Sequence, residues 1–155
     1  MNILVLSDSH GNLSNMIRAV EQESPHMIFH LGDCWRDAER LQTYFPDIPL
    51  RQVPGNCDFQ PDEPTEQILC LEDRRILLCH GHTFGVKSSL LRAGYAAGEK
   101  ALDVFLFGHT HMPLVDLRGK TLFLNPGSIG DRLRPTYGVL TLANGKADGR
   151  IGLLK

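Results

Sequence analysis

The chain has 155 residues, of which 42% are hydrophobic and 7% aromatic, and its formal charge is −2. This length suits one globular domain, so residues 1–155 are expected to fold as a single unit. Basic residues do not cluster beyond Arg132 and Arg134, so the composition gives no strong nucleic-acid signal. There is neither an apolar run of the ~20 residues that a membrane helix needs nor a basic leader. We therefore expect a cytoplasmic protein without a membrane partner.

The first third of the chain alternates between strand-like and helix-like patterns. Continuous apolar runs predict buried strands at residues 2–7, 27–31 and 50–53. Apolar residues at helical spacing predict a helix at residues 12–23, and a second helix is predicted at residues 36–44. This βαβαβ order is typical of a parallel sheet.

The pattern changes after a proline-rich loop at residues 59–64. A hairpin is predicted from strands at residues 67–71 and 75–79, followed by a helix at residues 87–99. A buried strand is predicted at residues 103–107, and short strands joined by turns follow it from residue 113 to residue 154. The chain is thus predicted to be an α/β protein.

The cysteines show no metal or redox motif. None has the C-x-x-C spacing of a zinc knuckle or a thioredoxin-type pair, so reduced thiols are expected. Cys70 and Cys79 lie inside apolar, strand-like runs and are expected to be small buried hydrophobic residues.

Short polar segments follow the ends of five predicted strands. They are Asp8-Ser9-His10, Gly32-Asp33, Gly55-Asn56-Cys57-Asp58, His80-Gly81-His82 and Gly108-His109-Thr110-His111. Because the carboxyl ends of strands in an α/β sheet converge on one edge, these segments are expected to lie together. They offer oxygen and nitrogen ligands in larger number than one ion uses, which favours two neighbouring divalent metals and hydrolytic chemistry.

Some of these residues have simpler interpretations when each is considered alone. Asp8 is equally consistent with a cap for the helix that begins near Asn12, and Gly32-Asp33 with an ordinary turn. Closely spaced histidines at strand ends favour metal binding over packing. His26 and His30 are not part of such a histidine pair at a strand end, and they are expected to be surface or hydrogen-bonded core residues.

The order of the polar segments, followed by Asn125-Pro126-Gly127-Ser128, resembles the calcineurin-like metallophosphoesterase superfamily, in its branch of small single-domain phosphodiesterases. The resemblance covers nearly the whole chain. It implies a two-sheet β sandwich flanked by helices in four αββα layers. It also implies that Asp8, His10 and His111 hold one metal, that Asn56, His80 and His109 hold a second, and that Asp33 bridges both.

The resemblance also implies the chemistry. Two divalent cations share a hydroxide, lower its pKa and attract phosphoryl oxygens, so a small phosphodiester is the expected substrate. Manganese is the expected metal from the resemblance, and nickel, iron, cobalt and zinc also suit nitrogen and oxygen ligands. A homodimer or homotetramer is implied as well.

Protonation of the leaving group is the least determined step. Many superfamily members carry a histidine directly after the metal-binding asparagine, where this chain has Cys57, whose thiol is a poor proton donor. His82, Asp58 and Asn12 are the candidate residues for delivering a proton or ordering the metal ligands, and turn or supporting roles are equally consistent for them. Residues 59–64 and 82–89 are expected to shape the pocket.

Two other functions fit the same fold. A phosphomonoesterase would use the same centre, and a binding scaffold similar to a retromer subunit would use the surface of the fold with a degraded site. The intact set of seven candidate ligands favours an enzyme over a scaffold, because function is judged from the site rather than the fold.

Overall fold

The computed structural model describes residues 1–59 and 62–155. The predicted loop at residues 59–64 therefore lies partly outside the described residues, since it includes residues 60 and 61. In the described part of the chain, two mixed five-stranded sheets are flanked by three helices. This is the two-sheet α/β architecture that the sequence predicts.

The first sheet contains the βαβαβ unit. Its elements are β1 (Asn2–Leu6), α1 (Leu13–Glu23), β2 (Met27–His30), α2 (Trp35–Tyr44), β3 (Leu50–Gln52), β9 (Thr136–Ala143) and β10 (Lys146–Leu153). The strand order is β10-β9-β1-β2-β3, in which β1, β2 and β3 are parallel and β9 runs antiparallel to β1. The β9–β10 hairpin turns at Asn144-Gly145, as predicted for the last third.

The second sheet contains the predicted hairpin and the strands around it. Its elements are β4 (Glu66–Leu71), β5 (Arg74–Cys79), α3 (Leu91–Glu99), β6 (Val104–Leu106), β7 (Leu114–Arg118) and β8 (Thr121–Asn125). The strand order is β4-β5-β6-β8-β7, and the central strands β5, β6 and β8 are parallel. Their carboxyl ends therefore point the same way.

Alternation along the strands produces the four αββα layers. Ile3 and Val5 of β1 face Ile76 and Leu78 of β5 in a core between the two sheets. The intervening residues face outward, so that Leu4 and Leu6 pack under α1 and α2, while Leu77 and Cys79 pack under α3. Because side chains alternate along a strand, a single apolar run supplies two different cores.

Two local predictions are wrong. The third helix begins at Leu91 rather than at residue 87, because residues 82–84 form a 3-10 turn and the amides of Ser88 and Ser89 bond to the Gly85 carbonyl. Cys70 is exposed, whereas Cys79 is buried. The reason is that Cys70 lies on edge strand β4, where Leu69 and Leu71 occupy the inward positions.

In the part of the chain that the structure describes, no helix has the length and apolar character needed to cross a bilayer.

Candidate metal centre

The polar segments that follow β1, β2, β3, β5 and β6 contribute to one end of the sandwich. Asp8 and His10 follow β1, Asp33 follows β2 and Asn56 follows β3, all in the first sheet. The second sheet contributes His80 after β5 and His109 and His111 after β6. The site is therefore built at the place where the two sheets meet.

One cluster contains Asp8, His10 and His111, whose ligand atoms lie within 4.8 Å of one another. Asp8 Oδ1 is 3.1 Å from His111 Nε2 and 3.9 Å from His10 Nε2. Asp8 is buried, whereas the side chains of His10 and His111 are each 45% exposed. The cluster is closed on the carboxylate side and open to solvent on the imidazole side, where a substrate can approach.

A second cluster contains Asp8, Asp33 and His80, all of them buried. His80 Nε2 lies 3.8 Å from Asp8 Oδ1 and 3.6 Å from Asp33 Oδ2. His80 Nδ1 lies 2.8 Å from the Leu31 carbonyl oxygen. Because a carbonyl oxygen only accepts, Nδ1 carries a proton, and Nε2 is the ring nitrogen that faces the two carboxylates.

His80 Nε2 is the observation that best tests whether a metal fits. Among the described residues this buried nitrogen has no hydrogen-bond partner. A buried polar atom without a partner is costly, and a ring nitrogen placed between two carboxylates offers the donor types that a divalent cation takes. These residues therefore fit the metal that the resemblance implies.

Asp8 faces both clusters through the same oxygen, whereas Asp33 lies only in the second cluster. Asp33 Oδ1 accepts a hydrogen bond from the Cys57 amide at 3.2 Å. The bridging role of Asp33 thus stays a prediction.

The remaining predicted ligands lie beside the second cluster. The His109 ring centroid is 5.0 Å from that of His80, and Asn56 lines a cavity together with His82. Burial lowers the pKa of His109 below its ordinary value, and the nearby His80 ring lowers it further. Neutral imidazole is the form that binds metals, so this shift favours a ligand role.

The backbone at this end is unusual. Five of the predicted ligands have positive φ: Asp8 (54°), His10 (45°), Asp33 (46°), His109 (69°) and His111 (61°). Residues other than glycine rarely adopt this left-handed conformation, which costs of the order of 1 kcal/mol or more each and concentrates at functional sites. The fold holds the ligand side chains in place at this cost.

Asp8 is held by three contacts. Its Oδ2 accepts hydrogen bonds from the Ser7 hydroxyl at 2.6 Å and from the His109 amide at 3.1 Å. The Ser128 hydroxyl donates to the Asp8 carbonyl oxygen at 2.7 Å, which gives the Asn125-Pro126-Gly127-Ser128 segment a place at the site. These contacts orient one carboxylate oxygen and leave Oδ1 facing the histidines.

Asn12 caps the first helix, and Asp8 does not. Asn12 Oδ1 accepts a hydrogen bond from the Asn15 amide at 3.0 Å, the usual geometry of an N-cap. The helix-cap interpretation of Asp8 is therefore wrong, because a neighbouring residue already performs that role.

Asp58 binds two loops together. Its Oδ2 accepts hydrogen bonds from the amides of Asp33 at 3.0 Å and Gly55 at 2.8 Å, and its Oδ1 accepts one from Trp35 at 2.9 Å. The carboxylate thus joins the segment that follows β2 to the segment that follows β3. A catalytic role for Asp58 or Asn12 stays a prediction.

A buried network behind His10 includes a residue that the sequence analysis missed. The Ser9 hydroxyl donates to Asp37 Oδ2 at 2.7 Å and lies 3.0 Å from His30 Nε2, and the Gly11 amide donates to the same Asp37 oxygen at 2.7 Å. The two residues that flank His10 are therefore both held by α2. No local pattern in the sequence marks Asp37, which looks like an ordinary acidic residue of a helix.

Histidines 26 and 30 lie where the sequence analysis expects them. His26 is at the surface, where its Nδ1 accepts from the Asn2 amide at 3.0 Å. His30 is completely buried, its Nδ1 accepts from the Gly32 amide at 3.2 Å, and burial lowers its pKa to about 4. His30 is a neutral core residue at ordinary pH.

Two glycines allow backbone to approach the ligand carboxylates closely. A Cβ atom at Gly55 would lie 2.0 Å from Asp33 Oδ1, and one at Gly108 would lie 2.7 Å from Asp8 Oδ2. No side chain fits at these distances, so the predicted role of these glycines in leaving room at the site has a direct geometric basis.

The candidate proton donors differ in character. The negative charge of Asp33, aided by burial, raises the pKa of the Cys57 thiol, which makes it a still weaker acid. Burial and the His80 ring lower the pKa of His82. His82 Nδ1 is buried without a hydrogen-bond partner among the described residues, and its ring centroid is 5.5 Å from that of His80.

Comparison with solved structures finds the same fold in other proteins. Wild-type Vps29 from Entamoeba histolytica, complexed with zinc, superposes over 100% of both chains with a TM-score of 0.74 and 16% identity. At that identity the likeness shows the fold alone.

Sequence comparison identifies the family. Residues 1–145 match the family described as the Calcineurin-like phosphoesterase superfamily domain. The probable metallophosphoesterase YsnB of Bacillus subtilis is 43% identical over 97% of this chain and 89% of its own length. The phosphodiesterase YfcE of Escherichia coli is 30% identical over 83% of this chain and 79% of its own length. The solved structure of YfcE superposes with a TM-score of 0.67 over 91% of this chain and 88% of that chain. The chain therefore belongs to the calcineurin-like phosphoesterase superfamily.

Proposed function

We propose that this protein is a metal-dependent phosphodiesterase with a dinuclear centre. The observation that carries the proposal is the buried, unpartnered Nε2 of His80, which faces the carboxylates of Asp8 and Asp33 at 3.8 and 3.6 Å. His10 and His111 extend the site toward solvent on the other side of Asp8. The phosphodiesterase name of the relative YfcE supports the diester reaction.

The roles proposed for the seven ligands follow the sequence prediction. Asp8, His10 and His111 would hold one cation, Asn56, His80 and His109 the other, and Asp33 would contact both. Two divalent cations there would supply Lewis acidity toward phosphoryl oxygens and water that ionises near neutral pH. The chain contributes few negative charges to the site, so an anionic phosphodiester is attracted rather than repelled.

The residues around the ligands fix geometry rather than transfer protons. Ser7 and the His109 amide hold Asp8, Asp58 holds the Asp33 backbone, and the Leu31 carbonyl sets the tautomer of His80. Preorganised ligands of this kind lower the reorganisation that the transition state requires. Cys57 remains a thiol, so the leaving group departs with little help from that position.

Metal identity, location and assembly are proposed from the resemblance. Manganese is the proposed native metal, and nickel, iron, cobalt and zinc are alternatives that the nitrogen and oxygen donors accept. A cytoplasmic homodimer or homotetramer is the proposed form of the protein. Sedimentation analysis of the purified protein tests the assembly.

A metal and activity measurement tests the function. Native protein reconstituted with manganese is expected to bind two ions and to hydrolyse bis-p-nitrophenyl phosphate faster than p-nitrophenyl phosphate. Faster hydrolysis of the monoester would indicate a phosphomonoesterase. Two bound ions without hydrolysis of either ester would favour the scaffold that Vps29 represents in this fold.

Asp33→Asn and His26→Ala form a matched pair for the same experiment. Asp33→Asn is expected to lose bound metal and most activity together, because the second cluster loses one of its two carboxylates. His26→Ala removes a surface histidine whose hydrogen-bond partner is the Asn2 amide rather than a predicted ligand, so both quantities are expected to stay at native values. Full activity with two metals in Asp33→Asn would contradict the proposed role of Asp33.

A further inference from the structure

A groove of about 450 Å³ opens beside the loop that carries His109 and His111. Its walls are mostly apolar, and they include Val86, Leu90, Met112 and Leu114, with Lys87 at the edge. This volume lies in the range of about 300 to 1,000 Å³ that is typical of sites for small molecules. The groove therefore has the size and character of a site for an organic group.

The floor of the groove is the ligand loop itself. Thr110, which lines the groove, lies between the two predicted ligands His109 and His111 in the chain. The Asn125 side-chain amide donates to Thr110 Oγ1 at 2.9 Å and to the Gly108 carbonyl oxygen at 3.1 Å. These bonds hold the loop in one shape, so a group bound in the groove is held next to the proposed centre.

The back wall also touches the site. A Cβ atom at Gly81, between His80 and His82, would lie 2.8 Å from Val86 Cγ2 and 3.4 Å from Phe107 Cβ. Val86 therefore packs directly against the ligand segment that follows β5. Thr110 and Val86, both of which line the groove, thus lie next to segments that carry predicted ligands.

The side-chain polar atoms of Asn125 and Thr110, which line the groove, are already engaged. Asn125 donates both bonds described above, and its Oδ1 accepts from the Gly127 amide at 2.9 Å. Thr110 Oγ1 accepts from Asn125 and from the Met112 amide at 3.1 Å, and it donates to the Met112 carbonyl oxygen at 3.5 Å. A sugar or glycerol group bound there would bury hydroxyls without partners, which is costly.

Lys87 adds a positive charge at the same place. It is exposed, and among the described residues no carboxylate oxygen lies within 4.0 Å of its ammonium. It lines the groove together with Thr110, the residue that follows His109 in the chain. An anion beside His109 would therefore be stabilised by Lys87.

We propose that this groove binds an apolar ester group of the substrate, so that the natural substrates are phosphodiesters with an aryl or alkyl group rather than a polyhydroxylated one. This inference rests on the phosphodiesterase function proposed above. The apolar group lies against Met112 and Leu90, while Lys87 offsets part of the phosphate charge. The exposed position of Met112, at 71%, leaves its side chain free to be covered by the ligand.

The test compares three diesters that share a p-nitrophenyl leaving group and differ in the second ester group, which is methyl, phenyl or glyceryl. The native protein is expected to prefer the phenyl diester over the methyl diester by about tenfold in kcat/KM, and to show no gain for the glyceryl diester. In Met112→Ser the phenyl preference is expected to fall to about threefold or less, chiefly through KM.

Control variants separate the groove from general effects. Leu117→Ser changes another exposed apolar residue, 67% exposed on β7, and is expected to keep the phenyl preference. Lys87→Gln is expected to raise KM for all three diesters alike, because it acts on the shared phosphate. A phenyl preference that survives Met112→Ser unchanged, or is lost equally in Leu117→Ser, would overturn the inference.

A binding measurement makes the inference independent of turnover. Phenylphosphonate is expected to bind the manganese-loaded native protein more tightly than methylphosphonate in calorimetry, and Met112→Ser is expected to remove the difference. If no diester is hydrolysed but phenylphosphonate still binds more tightly than methylphosphonate, the groove is shown to bind an apolar group and the proposed phosphodiesterase function is wrong. Hydrolysis without discrimination among the ester groups would overturn the inference that the groove binds the substrate. A smaller oligomer in Met112→Ser would also overturn it, because it would show that a second copy of the chain covers the groove.

Discussion

Asp37→Ala is expected to destabilise the protein strongly and to weaken the metal site, although Asp37 is not a predicted ligand. Asp37 is 2% exposed, and one of its oxygens accepts two hydrogen bonds of 2.7 Å, from the Ser9 hydroxyl and the Gly11 amide. A hydrogen bond to a charged group contributes about 1.5 to 3 kcal/mol, so the loss of two such bonds lowers the free energy of unfolding by about 3 to 6 kcal/mol. The Ser9 hydroxyl left behind is buried, which makes compensation by water difficult.

The same change is expected to act on His10. Ser9 and Gly11 flank this residue, whose φ of 45° is held in the left-handed region by its surroundings. When both neighbours are released, His10 is expected to relax, so the cluster of Asp8, His10 and His111 loses metal before the cluster around His80 does. Asp37→Asn keeps an acceptor oxygen and is expected to recover part of both properties.

Urea unfolding followed by circular dichroism measures the stability, and metal content after dialysis against a weak chelator measures the site. With a urea slope of about 2 kcal/mol/M, a loss of about 4 kcal/mol moves the midpoint by about 2 M. Asp131→Ala is the matched control, because that carboxylate also accepts two backbone bonds, of 2.9 and 2.8 Å, but is exposed. A midpoint for Asp37→Ala no lower than that of Asp131→Ala, with both metals retained, would refute the reasoning.

Three further predictions concern other parts of the site. In the unfolded state His30 takes up a proton below pH 6.5, whereas in the folded state burial lowers its pKa to about 4. Metal-free protein is therefore expected to lose about 1.4 kcal/mol of stability per pH unit as the pH falls from 6.5 toward 4. His30→Gln should remove that slope from urea unfolding curves recorded between pH 7 and 4. Gly55→Ala is expected to fold but to bind less metal in elemental analysis, because its Cβ would lie 2.0 Å from Asp33 Oδ1. A native metal content would show that the loop carrying Gly55 can shift without loss of metal binding. Cys57→His is expected to flatten the dependence of rate on leaving-group pKa across a series of diesters, since a positioned acid contributes about 10² to 10⁴-fold; a native dependence that is already shallow would show that another group supplies the proton.

The fold was predictable from the sequence because its strands carry strong patterns. The apolar runs at β1, β2, β5 and β6 supply both faces of each strand, and the turns at Gly119 and Gly145 determine two hairpins. The candidate ligands were predictable for a related reason, since each follows a strand end. Local periodicity and strand ends are properties of short segments, which a sequence displays directly.

The parts that the sequence did not predict depend on contacts between distant segments. Asp37 reads as an ordinary acidic residue of a helix, and only the packing of α2 against the loop after β1 brings it to Ser9. Cys70 and Cys79 occupy similar apolar runs, yet Cys70 is exposed because β4 is an edge strand. Strand order and side-chain partners across the fold are set by tertiary structure, which local patterns do not encode.

The origin of the candidate ligands in both sheets has a mechanical consequence. Among the residues that the structure describes, the two sheets share no backbone ladder and are joined through an apolar interior, while at one end His80 reaches the Leu31 carbonyl and the His109 amide reaches Asp8. Cations bound there would cross-link the two sheets at one end, whereas the rest of the contact between the sheets is apolar packing. We expect chelation to accelerate amide exchange at this end while leaving the hairpin turns at Gly119 and Gly145 unaffected, so that the stiffness of the molecule is graded along its length and depends on the supply of metal.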